Sequence, residues 1–184
     1  MSAHARALVV DDDPLARDLV TSALSSWTEE IHQANDGHHA LEVLSENDFD
    51  VVVTDHLMPG IDGVRLVELI RSFSKVPVIV LTAFPCVRSC EQALLSGASR
   101  YLDFRAHLDE LAEIAKKLVE ERVTSLAAAP LTSVVESRAK RDEELRRTLQ
   151  NLLVRTQGNI SRVAIFLKKD RSTVLYHLKR LGLY

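Results

Sequence analysis

Over residues 1–123, short continuously apolar runs alternate with segments of helical spacing. The runs Ala7–Val10, Ile31–Ala34, Val51–Thr54, Val78–Thr82 and Tyr101–Phe104 read as buried strands. Three of them, ALVV, VVV and VIVL, lack polar alternation, as strands covered on both faces do. Helical spacing occupies Pro14–Trp27, Gly37–Ser45, Val64–Ser72, Val87–Ser96 and Leu108–Val123. Alternating strands and helices predict an α/β domain with a parallel sheet and helices on each side.

The pattern then changes. Residues 124–133, TSLAAAPLTS, are small and include a proline, which predicts a linker. No strand pattern follows. Residues 134–156 predict one charged helix with an apolar stripe at Leu145, Leu149, Leu152 and Leu153. Gly158 and Asn159 break it, and shorter helices follow at Ile160–Leu167 and Arg171–Leu181. Residues 134–184 therefore predict a small all-α domain.

Composition sharpens this division. The chain has 184 residues, 46% of them hydrophobic, enough for a core in each domain. No apolar run approaches the roughly 18 residues of a membrane span. The start, MSAHARALVVDDD, has no signal-peptide pattern. Two cysteines, Cys86 and Cys90, are too few for a disulfide framework and read as packing residues. The expectation is a cytoplasmic protein with no membrane partner. The net charge of −3 hides an asymmetry: residues 1–132 hold 11 Lys and Arg against 21 Asp and Glu, and residues 133–184 hold 12 against 5, so −10 and +7 make up the total. A basic end on an acidic body points to a polyanion partner for that end, or to a solvated basic helix face.

Ligands of open parallel sheets bind beyond the carboxyl ends of the strands. The first run ends at Asp11, Asp12 and Asp13, the third at Asp55, and the fourth at Thr82. Carboxylates meeting there form a hard oxygen site suited to Mg²⁺, which would relieve their mutual repulsion. An Asp beside such a metal can act as a nucleophile toward a phosphoryl group. Taken alone, the Asp cluster also reads as a helix cap, a role that suits Asp13 before Pro14. Asp55 and Thr82 at the ends of other strands favour the pocket.

At these residues the chain resembles the response-regulator receiver family, over about residues 5–122. ALVVDDDP is similar to the family's first strand and acidic pair, VVVTDHLMPGIDG to its phospho-acceptor strand and loop, VPVIVLTA to its fourth strand and GASRYLDF to its fifth. The resemblance implies a (βα)5 flavodoxin-like fold. It implies that Asp55 accepts a phosphoryl group from a sensor histidine kinase. It further implies Mg²⁺ held by Asp12, Asp55 and the Leu57 backbone carbonyl, with Asp11 acting through water, and Thr82 and Tyr101 as a switch pair. Where the family has Lys then Pro after the fifth strand, this chain has Phe104 and Arg105. Phe104 cannot pair with a phosphate, so a phosphorylation-independent receiver, a scaffold for DNA binding or protein docking, stands as the alternative. Leu57 and Phe84 cannot position an attacking water, which implies a long-lived aspartyl phosphate.

In the tail, GNISRVA and then RSTVLYHLKRLGL resemble the Fis-type helix-turn-helix of NtrC-like regulators. That resemblance implies major-groove DNA binding by the last helix through Arg171, Ser172, Thr173, Tyr176, His177 and Lys179. It also implies a homodimer, for which the Leu145–Leu153 stripe would supply the seam. Lys168 and Lys169 stand where the family's turn has Gly and an apolar residue. The chain has no room for the AAA+ ATPase module that many relatives carry between these domains. No nucleophile elbow, phosphate-binding loop or metal-ligand helix marks a separate enzyme active site. The seven histidines lack zinc spacing, and His56 reads as a neutral, solvent-facing ring. The whole therefore reads as a two-component response regulator controlling transcription, its DNA site and kinase unspecified.

Overall fold

A computed structural model describes residues 5–127, 131–167 and 169–184, and the side chains of these outside 126–141. Residues 128–130 of the expected linker, and Lys168 of the expected turn, lie outside the described residues. Two compact units divide the chain, Met1–Arg122 and Val123–Tyr184.

In the first unit, β1 (Arg6–Val10), β2 (Glu30–Ala34), β3 (Val51–Thr54), β4 (Val78–Thr82) and β5 (Arg100–Asp103) form one parallel sheet in the order β2-β1-β3-β4-β5. The helices are α1 (Pro14–Leu24), α2 (Gly37–Glu46), α3 (Gly63–Arg71), α4 (Val87–Leu95), the short α5 (Phe104–His107) and α6 (Leu111–Ala127). β1, β3 and β4 are buried along nearly their whole length, as continuous apolar runs require. One core cluster gathers Ala7, Val9, Val51, Val53, Ile79 and Leu81 from the sheet with Val20 and Leu24 of α1 and Leu111, Ala115 and Leu118 of α6.

Short polar residues start the helices. Asp13 accepts from the backbone N–H of Leu15 (2.9 Å), Asp36 from that of His39 (2.8 Å) and Asp62 from that of Arg65 (2.7 Å). Each satisfies a donor that the first turn cannot. Cys86 caps α4 through its sulfur and is exposed, so the packing role expected for it is not what it plays. β2 is an edge strand and only partly covered, unlike the buried strand expected there. α1 stops at Leu24, three residues short of Trp27, which still packs against the core cluster.

The greatest departure lies after β5. The strand ends at Asp103, whose carboxylate accepts from the Arg105 backbone N–H (2.8 Å) and starts a helical turn at Phe104. Phe104, expected to end the strand, packs instead against the core cluster. α6 continues to Ala127 and α7 begins at Leu131, so helix occupies both ends of the expected linker.

The second unit consists of α7 (Leu131–Arg155), α8 (Ile160–Leu167) and α9 (Arg171–Arg180). Its core holds Leu149, Ile160, Val163, Ala164, Val174 and Leu178. Leu145, Leu152 and Leu153 pack against that same core. Of the stripe expected as a seam between two copies, Leu149 is buried in its own unit, while Leu145, Leu152 and Leu153 are only partly buried. Gln157 and Gly158 adopt positive φ (53° and 76°), and the Gly158 N–H reaches back to the Leu153 carbonyl (2.8 Å), ending α7. Asn159 then accepts from the Arg162 N–H (3.1 Å), opening α8. Arg180 grips Asp142 with two nitrogens (2.7 and 3.1 Å), tying α9 to α7. Beside them, burial and the charge of Arg180 hold His177 down to a pKa of about 4, with Asp142 opposing and Lys169 adding to the shift.

Two expectations follow. A Cβ on Gly63 would lie 2.0 Å from the Asp55 carbonyl oxygen, because the Gly63 N–H is held 3.0 Å from the His56 carbonyl. Gly63→Ala is expected to destabilise the first unit by about 1–3 kcal/mol in chemical denaturation. In the second unit, His177 stays neutral when folded to a lower pH than when unfolded. Unfolding therefore takes up a proton once the pH drops below the unfolded value of 6.5, and stability falls progressively until about pH 4. The loss is on the order of 2–3 kcal/mol. Amide exchange of α9 measured between pH 7.5 and 4.5 should show this slope, and His177→Gln should flatten it.

Candidate functional site

The parallel register of β1 on β3 aligns Val10 with Thr54, so the next residue of each strand, Asp11 and Asp55, emerges at the same sheet edge. The Asp55 backbone N–H donates to the Val10 carbonyl (2.9 Å) and fixes this alignment. Asp11 is buried, with 9% exposure, and its carboxylate accepts from the Asp13 N–H (2.8 Å). Arg17 donates to the Asp11 carbonyl (2.7 Å). Asp55 is half-buried and accepts from the Leu57 N–H (2.8 Å). Asp12 is exposed beside them.

Burial, with the charges of Asp55, Asp12 and Asp13, pushes Asp11 up to about 6 against the relief of the Asp13 hydrogen bond. Asp55 is raised from its ordinary value by burial and by Asp12, against hydrogen bonds from the backbone N–H groups of His56 and Leu57. Both carboxylates are therefore costly to ionise together, and a cation would relieve that cost. Among the described residues, no three His, Cys, Asp or Glu side chains are already gathered as a chelate.

Thr82 ends β4 with its hydroxyl buried and accepting from the Phe84 N–H (3.3 Å). Tyr101, on β5 across from Val80, is turned toward α4, where its hydroxyl shares a 2.5 Å hydrogen bond with Ser89. Ser89 in turn bonds the capping Cys86. The His56 ring meets Tyr101 edge-on, with centroids 6.3 Å apart, and its Nδ1 is buried rather than facing solvent as expected. The sheet edge thus brings together Asp11, Asp12, Asp55 and Thr82. Tyr101 is drawn aside to α4, and the Phe104 ring is withdrawn into the core. Ser89, Arg17 and the buried face of His56 gave no signal in the sequence, since each owes its place to an element distant along the chain.

In the second unit the expected DNA contacts divide. Arg171 and Lys179 are exposed, and Ser172 and His177 partly so. Thr173 (1% exposed) and Tyr176 (6%) face the unit's interior, which corrects their expected place on a free surface. Arg180 lies over the Tyr176 ring at 5.9 Å. Spacing sets Thr173 and Tyr176 on a different face of α9 from the core residues Val174 and Leu178.

Residues 7–116 match the family model described as "Response regulator receiver domain". Transcriptional regulatory protein ZraR of Klebsiella oxytoca is 35% identical over 141 residues, 73% of this chain and 32% of that protein. Regulatory protein AtoC of Escherichia coli K12 is 35% identical over 121 residues, covering 65% of this chain and 26% of its own. The chain therefore spans about a third or less of these relatives. The solved receiver domain of the response regulator NarL from Mycobacterium tuberculosis superposes with a TM-score of 0.60 at 30% identity, covering 63% of this chain and 96% of that one. With its five-stranded parallel sheet and the carboxylates at the sheet's edge, the chain belongs to the response regulator receiver domain family.

Proposed function

We propose that the protein is a response regulator of a two-component system in which phosphorylation of Asp55 modulates DNA binding by the second unit. The observation that carries this is the emergence of Asp55 beside Asp11 and Asp12 at the carboxyl edge of the sheet. An Asp55 carboxylate oxygen would attack the phosphorus of a kinase phosphohistidine or a small phosphodonor. A new oxygen–phosphorus bond forms, and the donor leaves with its electron pair. Leu57 donates to one carboxylate oxygen of Asp55. Thr82, at the neighbouring strand end, is the hydroxyl suited to bond the transferred group, with Tyr101 as its switch partner. Asp11, Asp12, Asp55 and the Leu57 carbonyl are hard oxygen donors whose crowding fits Mg²⁺, which when bound would neutralise the oxygens of the transferring phosphoryl group.

For the second unit, support comes from its excess of basic residues and from the two short helices α8 and α9, joined by a turn. Arg171, Ser172, His177 and Lys179 remain for nucleic acid; Thr173 and Tyr176 would hold α9 in place from within. The relatives named as transcriptional regulators favour the same outcome. A second reading, a receiver that works without phosphorylation, is favoured by one observation: the side chain in the family's lysine position is Phe104, packed in the core.

Incubation with Mg²⁺ and a small phosphodonor is expected to add one phosphoryl mass, lost in Asp55→Asn. An unmodified wild-type protein would instead favour the second reading. On duplex DNA, log affinity should fall steeply and linearly with log salt, and Arg171→Ala should lower both affinity and the slope, the latter by about 1. DNA binding that is indifferent to salt would refute the role of the basic unit.

A further inference from the structure

We infer that His56 is the coupling residue that links a phosphoryl group on Asp55 to Tyr101 and, through Ser89, to the start of α4, in place of the contact that Phe104 cannot make. This rests on Asp55 being the acceptor. His56 follows Asp55 directly, and its ring abuts Tyr101 edge-on at 6.3 Å. Its Nδ1 is buried and has no hydrogen-bond partner among the described residues. A buried polar atom left unpaired is a standing cost that an incoming oxygen-rich group would remove. On the far side, the Tyr101 hydroxyl is bound to Ser89 Oγ at 2.5 Å, and the Ser89 N–H donates to the Cys86 sulfur that caps α4 (3.4 Å). A shift of the imidazole therefore reaches the first turn of α4 through two contacts. Phe104 is not available for this role, because it packs with the core cluster and leaving it would open that core.

The coupling needs no change of charge. A neutral imidazole protonated at Nδ1 donates to a phosphoryl oxygen, and the ring moves toward it. Asparagine can place an amide nitrogen close to the position of Nδ1. Phenylalanine keeps the ring against Tyr101 but has no nitrogen, and leucine keeps bulk alone. These three substitutions separate the nitrogen from the packing.

The test uses the full chain with Mg²⁺ and beryllofluoride as the phosphoryl mimic. Fluorine NMR reports binding, and amide exchange reports on Val87–Leu95. In the wild type, beryllofluoride should change exchange in the first turn of α4 by at least about threefold. His56→Phe should bind the mimic yet lose this response, and His56→Asn should recover it. If His56→Phe does not fold, His56→Leu carries the same expectation. A full α4 response in a variant lacking the nitrogen overturns the coupling role and leaves Asp55 as acceptor. Failure of the wild type to bind beryllofluoride overturns both.

Discussion

Parallel pairing of β1 with β3 forces two carboxylates to the same edge of the sheet, and the chemistry of the first unit depends on that crowding. Among the described residues, neither Asp11 nor Asp55 has a basic side chain bonded to its carboxylate; each is held by a backbone N–H from its own loop. Burial and mutual repulsion raise both above ordinary carboxylate values. The two carboxylates are therefore costly to ionise together. Gly63 belongs to the same constraint, since only a residue without Cβ lets α3 start against the Asp55 carbonyl.

What the edge can transmit is decided at its far side. Asp103 caps a helical turn at the point where a strand would otherwise continue, and that turn carries Phe104 into the core. A charge-assisted contact to a phosphate, worth about 1.5–3 kcal/mol, is therefore missing from this position. His56, next to Asp55 in the chain, meets Tyr101 edge-on, and Tyr101 is bonded to Ser89 of α4.

The second unit answers a different demand. With α7 and two short helices, it buries a small set of side chains and leaves Val154, Ile165, Phe166 and Tyr184 exposed. Leu149, Val174 and Leu178 are fully covered, and Thr173 and Tyr176 are drawn in with them. The bidentate Arg180–Asp142 pair fixes α9 on α7 and removes Arg180 from the basic surface.

Periodicity alone determined the order of strands and helices, because a strand buried on both faces must be apolar throughout and a surface helix must repeat near 3.6 residues. It also determined the placement of Asp11, Asp12, Asp55 and Thr82 at strand ends, and the cap at Asp13, since these are local properties of the chain. Only the tertiary structure decided that β2 lies at the edge, that Phe104 packs against the core, that Leu149 is buried within its own unit, and that Tyr101 is tied to Ser89. Each of these depends on which distant surface is present to receive a side chain. A sequence states that Phe104 is apolar and that Tyr101 carries a hydroxyl; it does not state where the nearest unfilled core or the nearest serine will be.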